Sequence, residues 1–159
     1  MPILKICGVL LILGAGGAAA AFILRFEKRK IAVLAGWSDL IWYIRSQIDC
    51  YLMPLPEIMA GADRALLDAC CFQSAGRPDL TAVYHASQIY LDPEARRLLC
   101  AFVREIGSGY REELIRRCDY YISSLGKIRA KRMEELPARG RVATAVCLGA
   151  AALAAILLW

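Results

Sequence analysis

Both ends of the chain lack formal charge over a length that fits a lipid bilayer. Residues 6–24 hold no acidic or basic side chain, and neither do residues 142–159. In a helix that rises about 1.5 Å per residue, these stretches reach about 28 Å and 27 Å, close to the ~30 Å hydrocarbon core. Lys5 can snorkel to one face, and Trp159 stands where an interfacial aromatic anchor is expected. The sequence therefore predicts transmembrane helices over residues 3–24 and 142–159.

The middle of the chain has the composition of a domain in water. All fifteen acidic and nineteen of the twenty basic residues lie in residues 25–141, which gives this segment a net charge of +4. Over the whole chain the hydrophobic fraction is 58% and the mean hydropathy is +0.45, values that are high for a protein without lipid contact. These numbers favour a membrane protein with one domain outside the bilayer.

The glycine-rich stretch ILGAGGAAAAF, residues 12–22, permits two other interpretations. Gly14, Gly16 and Ala19 match the G-x-G-x-x-A spacing of a dinucleotide-binding turn. That site also needs a second strand and an acid about 20 residues on, whereas Glu27 comes too early and the next residues have a helical pattern. The stretch also resembles a signal peptide that ends in an A-x-A cleavage site. The basic RFEKRK immediately after it opposes translocation, so we prefer an uncleaved span.

Basic residues on the inner side of each predicted span set the expected orientation. Ten of them flank the spans on the side of the central segment: Arg25, Lys28, Arg29, Lys30, Lys127, Arg129, Lys131, Arg132, Arg139 and Arg141. An excess of lysine and arginine marks the cytoplasmic side of a membrane protein. We therefore expect residues 25–141 in the cytoplasm and both termini outside.

Hydrophobic periodicity predicts that the first half of the central segment is helical. Apolar residues recur at 3-4-3-4-3 spacing in a helix that continues from the first span: Leu34, Trp37, Ile41, Ile44, Ile48 and Tyr51. Prolines at 54 and 56 end it. One or two short helices then occupy residues 57–71 with a joint near Gly61 and Asp63, residues 74–79 form a loop, and residues 80–90 form a weaker helix.

Two stronger helices are predicted in the second half. Asp92 is placed as an N-cap before Pro93, Gly107 ends that helix, and Ser108 can cap the next. The last helix runs from about Tyr110 to Leu136, with breaks expected at Pro137 and Gly140. The fold class is therefore all-α, an antiparallel bundle of about five or six helices (residues 25–141) flanked by two transmembrane helices.

Small residues recur at four-residue spacing in both predicted spans. The pairs are Gly14 with Ala18 and Gly17 with Ala21 in the first span, and the ladder in the second is Ala143, Cys147, Ala151 and Ala155. Small faces let transmembrane helices approach closely. We therefore predict that Gly14, Gly17 and Cys147 lie on packing faces, where the spans contact each other or partner spans.

No catalytic constellation is recognisable in the sequence. It contains no P-loop, H-E-x-x-H, G-x-S-x-G or EF-hand pattern, and its acid pairs lie beside arginines as in solvated ion-pairing faces. The basic residues cluster at the membrane junctions, where anionic headgroups account for them. We expect no enzyme activity, no cofactor, no small-molecule substrate and no nucleic-acid binding.

The cysteines and the single histidine give no pattern of a metal site. There are seven cysteines, an odd number without a C-x-x-C pair, which predicts free and mostly buried thiols in a reducing compartment. A redox role of the adjacent Cys70 and Cys71 has no further support. His85 is interpreted as a helix-surface or packing residue.

Three stretches together resemble a known family: RSQIDCYLMPLPEIM (45–59), FVREIGSGYREELIRRCDYYISSL (102–125) and KIRAKRMEELPARGRVATAVCLGAAALAAILLW (127–159). Their layout is similar to stage III sporulation protein AB, which is related to the F-type platform proteins of type II secretion systems and type IV pili. The Leu55-Pro56-Glu57 turn and the helix start at residues 107–112 are the most specific parts. Tyr110 departs from the family, which usually has an acid there.

The resemblance implies a scaffold function. A helical F-type domain would lie on the mother-cell side of the outer forespore membrane, in the channel complex that joins mother cell and forespore. The expected partners are membrane lipids, the complex's ATPase (stage III sporulation protein AA) on the cytoplasmic face and other channel proteins at the spans or outer face. From exposed loop chemistry, the candidate contact residues are Glu57, Arg111 and Glu112. The alternative function is a general membrane-anchored helical adaptor or regulator.

Overall fold

The structure is a computed structural model that describes residues 2–51, 53–74, 76–107 and 109–158. The protein is 86% helical, and these ranges contain no strand, so the predicted all-α class is confirmed. Six α-helices and one 3₁₀ turn occur in them: α1 (Pro2–Tyr51), α2 (Leu55–Ala60), α3 (Arg64–Ala69), α4 (Leu80–Ser87), the 3₁₀ turn (Gln88–Tyr90), α5 (Pro93–Glu105) and α6 (Arg111–Leu158).

Helices α1 and α6 each contribute to two compact units of the chain. One unit, which we call the helix pair, comprises residues 1–28 and 133–159. The other, which we call the helical unit, comprises residues 29–132 and contains α2 to α5 complete. The contacts thus group the basic residues at 25–28 and 139–141 with the apolar ends of the chain.

Helix α1 is the strongest candidate for a membrane span. In the described part of the chain it is long and apolar enough to cross a bilayer, since its apolar window has a mean hydropathy of 2.3 and only 11% of that window is buried. The predicted span at residues 142–159 ends beyond the described residues, and Trp159, its proposed anchor, lies outside them, as does the proposed cap Ser108. That second span stays a prediction.

The predicted end of the last helix near Pro137 and Gly140 is wrong, because α6 continues through both to Leu158. Proline removes one backbone donor and crowds the carbonyl four residues earlier, at a cost of about 3 kcal/mol. The neighbouring residues in KRMEEL and ARGR are mostly good helix formers, which offsets part of this cost. Two side chains also donate hydrogen bonds to backbone carbonyls one turn earlier in α6. Arg141 Nε donates to the oxygen of Pro137 at 3.4 Å, and Thr144 Oγ1 donates to the oxygen of Gly140 at 2.9 Å.

One apolar core holds the helical unit together, and Trp37 of α1 is the largest fully buried side chain in it. Its Nε1 donates to Ser87 Oγ at 3.0 Å, and Ser87 in turn donates to the carbonyl of Tyr84 at 2.9 Å. The buried serine is therefore fully hydrogen-bonded, which removes the cost of an unpaired polar group in the core. The predicted stripe on α1 is buried from Leu34 to Ile48, whereas its last member, Tyr51, is 68% exposed.

The boundaries of the helices α2 to α5 follow the predicted local signals, with one difference in the bonding of the Asp92 side chain. The joint at Gly61 and Asp63 separates α2 from α3, and Asp63 accepts a capping hydrogen bond from Ala65 N at 3.3 Å. Asp92 occupies the N-cap position of α5 without a side-chain capping bond. Its carboxylate instead pairs with Arg132 at 2.9 Å and with Lys30 at 3.9 Å, so it ties α5 to both long helices.

Gly36 permits a close contact between two helices of the helical unit. A Cβ atom at this position of α1 would lie 2.8 Å from the backbone carbon and oxygen of Ala69 in α3. Backbone atoms cannot move aside as a flexible side chain can, so only glycine allows this approach. Gly126 of α6 offers the opposite case, since a Cβ there would meet nothing within 4 Å.

We expect Gly36→Ala to destabilise the protein by about 2 kcal/mol, because overpacking forces α3 away from α1. Gly126→Ala is the matched control and should be neutral or stabilising by up to about 1 kcal/mol, because alanine favours the helix. Chemical denaturation of the detergent-solubilised chain, followed by circular dichroism, measures both. Equal stability of the two variants would contradict the close contact.

Candidate interaction surfaces

A groove in the helical unit brings together the two motifs of the family resemblance. Its volume is about 490 Å³, and its walls come from the end of α1, the Met53–Pro56 turn and the connection between α5 and α6. The lining is mostly apolar and includes Ile48, Leu55, Pro56, Ile106 and Leu114, with Arg111 as its charged member. Segments that lie about 50 residues apart in the sequence thus form one surface feature.

Arg111 connects the first turn of α6 to the last turn of α1. Its Nη2 donates to the backbone oxygen of Asp49 and to Asp49 Oδ1, both at 2.6 Å. The first of these bonds satisfies a carbonyl that the end of α1 leaves without a helical donor. Because the two side chains are 47% and 43% exposed, the ion pair adds at most about 1 kcal/mol. The guanidinium that we predicted as a partner contact is therefore already bound within the chain.

The two predicted contact carboxylates lie beside the groove residues in the sequence but do not line the groove. Glu57 and Glu112 are exposed in the first turns of α2 and α6, and neither side chain has an ion pair or hydrogen bond among the described residues. At a helix N-terminus each carboxylate is stabilised by the helix dipole. They remain open for an external cation.

Exposed aromatic residues in the same segments were missed by the sequence-based reasoning. Tyr110 is 87% exposed and Tyr51 is 68% exposed, while Met53 of the groove is 37% exposed. Tyr51 was assigned to the core stripe by its spacing, and Tyr110 was noted only as a departure from the family. Large apolar side chains held in water are typical of the centres of protein interfaces, where tyrosine is enriched.

Ion pairs fix the register of α1 and α6 in the helical unit. Arg45 contacts both carboxylate oxygens of Asp119, at 2.6 Å and 3.3 Å, and Asp49 meets Arg111 one turn further along α1. Residue numbers rise along α1 as they fall along α6, so the helices run antiparallel here. Tyr121 Oη also donates to Glu105 Oε2 at 2.8 Å, and its ring packs edge-on against Phe102 of α5 at 5.1 Å between centroids.

The thiols are unpaired but less buried than expected. Only Cys70 and Cys118 are buried, whereas Cys7 and Cys50 are exposed and the other three are intermediate. Burial raises the pKa of Cys70 to about 12 and that of Cys118 to about 11. Raised pKa values favour the unreactive thiol form at neutral pH.

Cys71 Sγ lies 3.5 Å from Arg29 Nη2, and the described residues contain no cluster of three or more potential metal ligands.

We expect the free energy of unfolding to fall as pH rises from 9 to 11, because unfolded thiols ionise near pH 9 while the folded ones stay protonated. The slope is up to about 1.4 kcal/mol per pH unit for each buried thiol. Cys118→Ala should make the slope shallower, whereas Cys50→Ala, at an exposed site, should leave it unchanged. Denaturant titrations at several pH values test this, and identical slopes in all three proteins would contradict it.

In the helix pair, the small-residue contact is made by Gly16 and not by the two glycines that we predicted. A Cβ atom at Gly16 would lie 2.8 Å from Ala151 Cβ and 3.0 Å from the carbonyl oxygen of Cys147, whereas Gly14 and Gly17 have nothing within 4 Å. Ala20, one turn from Gly16, is buried, as is Ala151. Cys147 thus lies at this contact, whereas Gly14 and Gly17 lie on faces of α1 that the described residues leave open. Packing of these two glycines against partner spans stays a prediction.

We expect Gly16→Leu to weaken the packing of α1 against α6 in the helix pair, since the new side chain would overlap backbone atoms of Cys147. Gly14→Leu should not, because its position is open. The thermal unfolding midpoint of the detergent-solubilised protein compares the two, with a lower midpoint expected for Gly16→Leu alone. A lower midpoint for Gly14→Leu only would place the helix contact on the other face.

Searches against protein-family models, curated proteins and solved structures found no match to this chain. The functional interpretation therefore depends on the residues and their geometry.

Proposed function

We propose that the protein is a non-enzymatic membrane scaffold, a platform subunit of the secretion-like sporulation channel between mother cell and forespore. It would cross the outer forespore membrane twice, with the helical unit in the mother-cell cytoplasm. The helical unit would engage the ATPase, stage III sporulation protein AA, and the spans or outer face would meet other channel proteins. The function supported next best is a general membrane-anchored helical adaptor.

The groove between the two resemblance motifs is the observation that carries this proposal. Pro56 and Arg111 come from the two most specific segments of the resemblance and line the same groove. Exposed Tyr110 and the open carboxylates of Glu57 and Glu112 belong to the same segments. An apolar groove with aromatic and acidic neighbours is suited to binding a protein surface that is partly apolar and partly basic.

The burial of side chains and the distribution of charge both support a membrane scaffold. The helical unit has a packed core in which every buried side-chain nitrogen and oxygen of the described residues has a hydrogen-bond partner. Only 11% of the apolar window of α1 is buried. In water its surface would be a large unfavourable apolar patch, whereas lipid solvates such a surface. Basic residues flank both apolar ends on the side of the central segment, and this pattern supports the proposed two-span orientation.

Co-purification of the tagged full-length protein from sporulating cells tests the proposal. We expect recovery of the ATPase and other channel components, and about tenfold less ATPase with Tyr110→Ala, because interface tyrosines are common hot spots worth 1 kcal/mol or more. Tyr120→Ala is the matched control, since Tyr120 is 62% exposed on α6 but lies outside residues 107–112, the segment of Tyr110 that contributes to the groove. Recovery without any channel component would favour the general adaptor, and nucleotide turnover by the isolated protein would contradict a non-enzymatic function.

A further inference from the structure

We propose that the helix pair binds one anionic phospholipid in a groove between α1 and α6. The headgroup phosphate would contact Lys28 and Arg141, and an acyl chain would lie along Leu24 and Ala145. This inference rests on the proposed membrane insertion of both chain ends and concerns a lipid site that is separate from the protein-binding groove of the helical unit.

The groove combines two cations with a lining that is otherwise mostly apolar. Its volume is about 600 Å³, within the range of small-molecule sites, and α1 supplies Leu24 and Lys28. Helix α6 supplies the rest of the lining: Leu136, Pro137, Gly140, Arg141, Thr144 and Ala145. The absence of a side chain at Gly140 lets α1 approach, since a Cβ there would lie 3.1 Å from Leu24 Cδ1.

The two cations in the groove are available to an anion. Lys28 is exposed and has no ion pair among the described residues, and Arg141 uses only Nε, for a long 3.4 Å bond to the oxygen of Pro137. No acidic residue lines the groove. The nearby carboxylate of Glu135 is held by Arg139 at 2.8 Å. The groove therefore has a charge of +2 without an internal counter-ion.

The apolar part of the groove identifies the ligand as a lipid. The Thr144 hydroxyl donates to the carbonyl of Gly140 at 2.9 Å, so this polar group is satisfied within the helix and the wall is left apolar in effect. Free phosphate would leave that wall uncovered, whereas an acyl chain covers it. Arg141 is also the last charged residue before the uncharged stretch 142–159, which places the cations at headgroup depth in the proposed topology.

Known physical chemistry supports this combination. Arginine binds phosphate oxygens in a bidentate manner, and lysine adds a mobile point charge. Basic pockets between transmembrane helices on the cytoplasmic side bind anionic headgroups, and each cation near an anionic surface improves binding roughly fivefold. Loss of both cations should therefore reduce binding roughly 25-fold.

Native mass spectrometry of the full-length protein, extracted from vesicles that contain phosphatidylglycerol and phosphatidylcholine, tests the site. We expect one phosphatidylglycerol per chain, with preference over phosphatidylcholine. The double variant K28Q/R141Q should lose this preference. The matched control K127Q/K131Q removes two exposed cations of α6 that lie outside the groove and should keep it.

Retention of phosphatidylglycerol by K28Q/R141Q at the wild-type level would overturn the proposal, and so would equal loss in the matched control. Displacement of the lipid preference by inorganic phosphate alone would likewise overturn it, since the apolar wall would then be irrelevant. Alkaline carbonate extraction of the same vesicles distinguishes a failure of the proposed membrane insertion from a failure of the lipid site. Release of the wild-type protein would overturn membrane insertion and the lipid site together, whereas firm retention without lipid preference would overturn the lipid site alone.

Discussion

The antiparallel packing of α1 against α6 is the contact on which the helical unit depends. Arg45 with Asp119 and Asp49 with Arg111 set the register, and the apolar stripe of α1 around Trp37 is buried in the shared core. Surface ion pairs of this kind add little energy, so burial of the stripe supplies the stability, and the ion pairs add a preference for the register in which they can form. In the helical unit, the shorter helices α2 to α5 pack beside α1 and α6. The hydrogen bond from Trp37 to Ser87 joins α4 to α1.

Much of the helical unit could be predicted from its sequence because its helices are amphipathic and bounded by proline, glycine and capping residues. The end of α1 before Pro54 and the joint at Gly61 are examples. Asp92 was placed correctly at the N-cap position of α5, but that position does not reveal that Arg132, 40 residues later, approaches the same carboxylate. The effect of Pro137 could not be predicted either, because its lost hydrogen bond and steric clash compete with the helix propensity of all the residues around it.

The packing face of the first apolar stretch was beyond prediction for a different reason. Gly14, Gly16 and Gly17 all lie within one turn of α1, and each has a small residue four positions later. A segment without charge carries no amphipathic signal, so nothing in the sequence tells which face meets α6. Only the geometry identifies Gly16 as the contact. The groove at Arg111 could not be predicted either. Its two walls, residues 48–56 and 106–114, are far apart in the sequence and meet only in the folded chain.

The proposed arrangement has one domain on a defined side of the membrane, and Cys50 reports on it directly. This thiol is exposed and belongs to the helical unit. A membrane-impermeant maleimide is added to intact cells and, in parallel, to opened cells, and the modified cysteine is identified by peptide mass. We expect Cys50 to be modified only after the cells are opened. Modification of Cys50 in intact cells would contradict the cytoplasmic position of the helical unit and the scaffold function that depends on it.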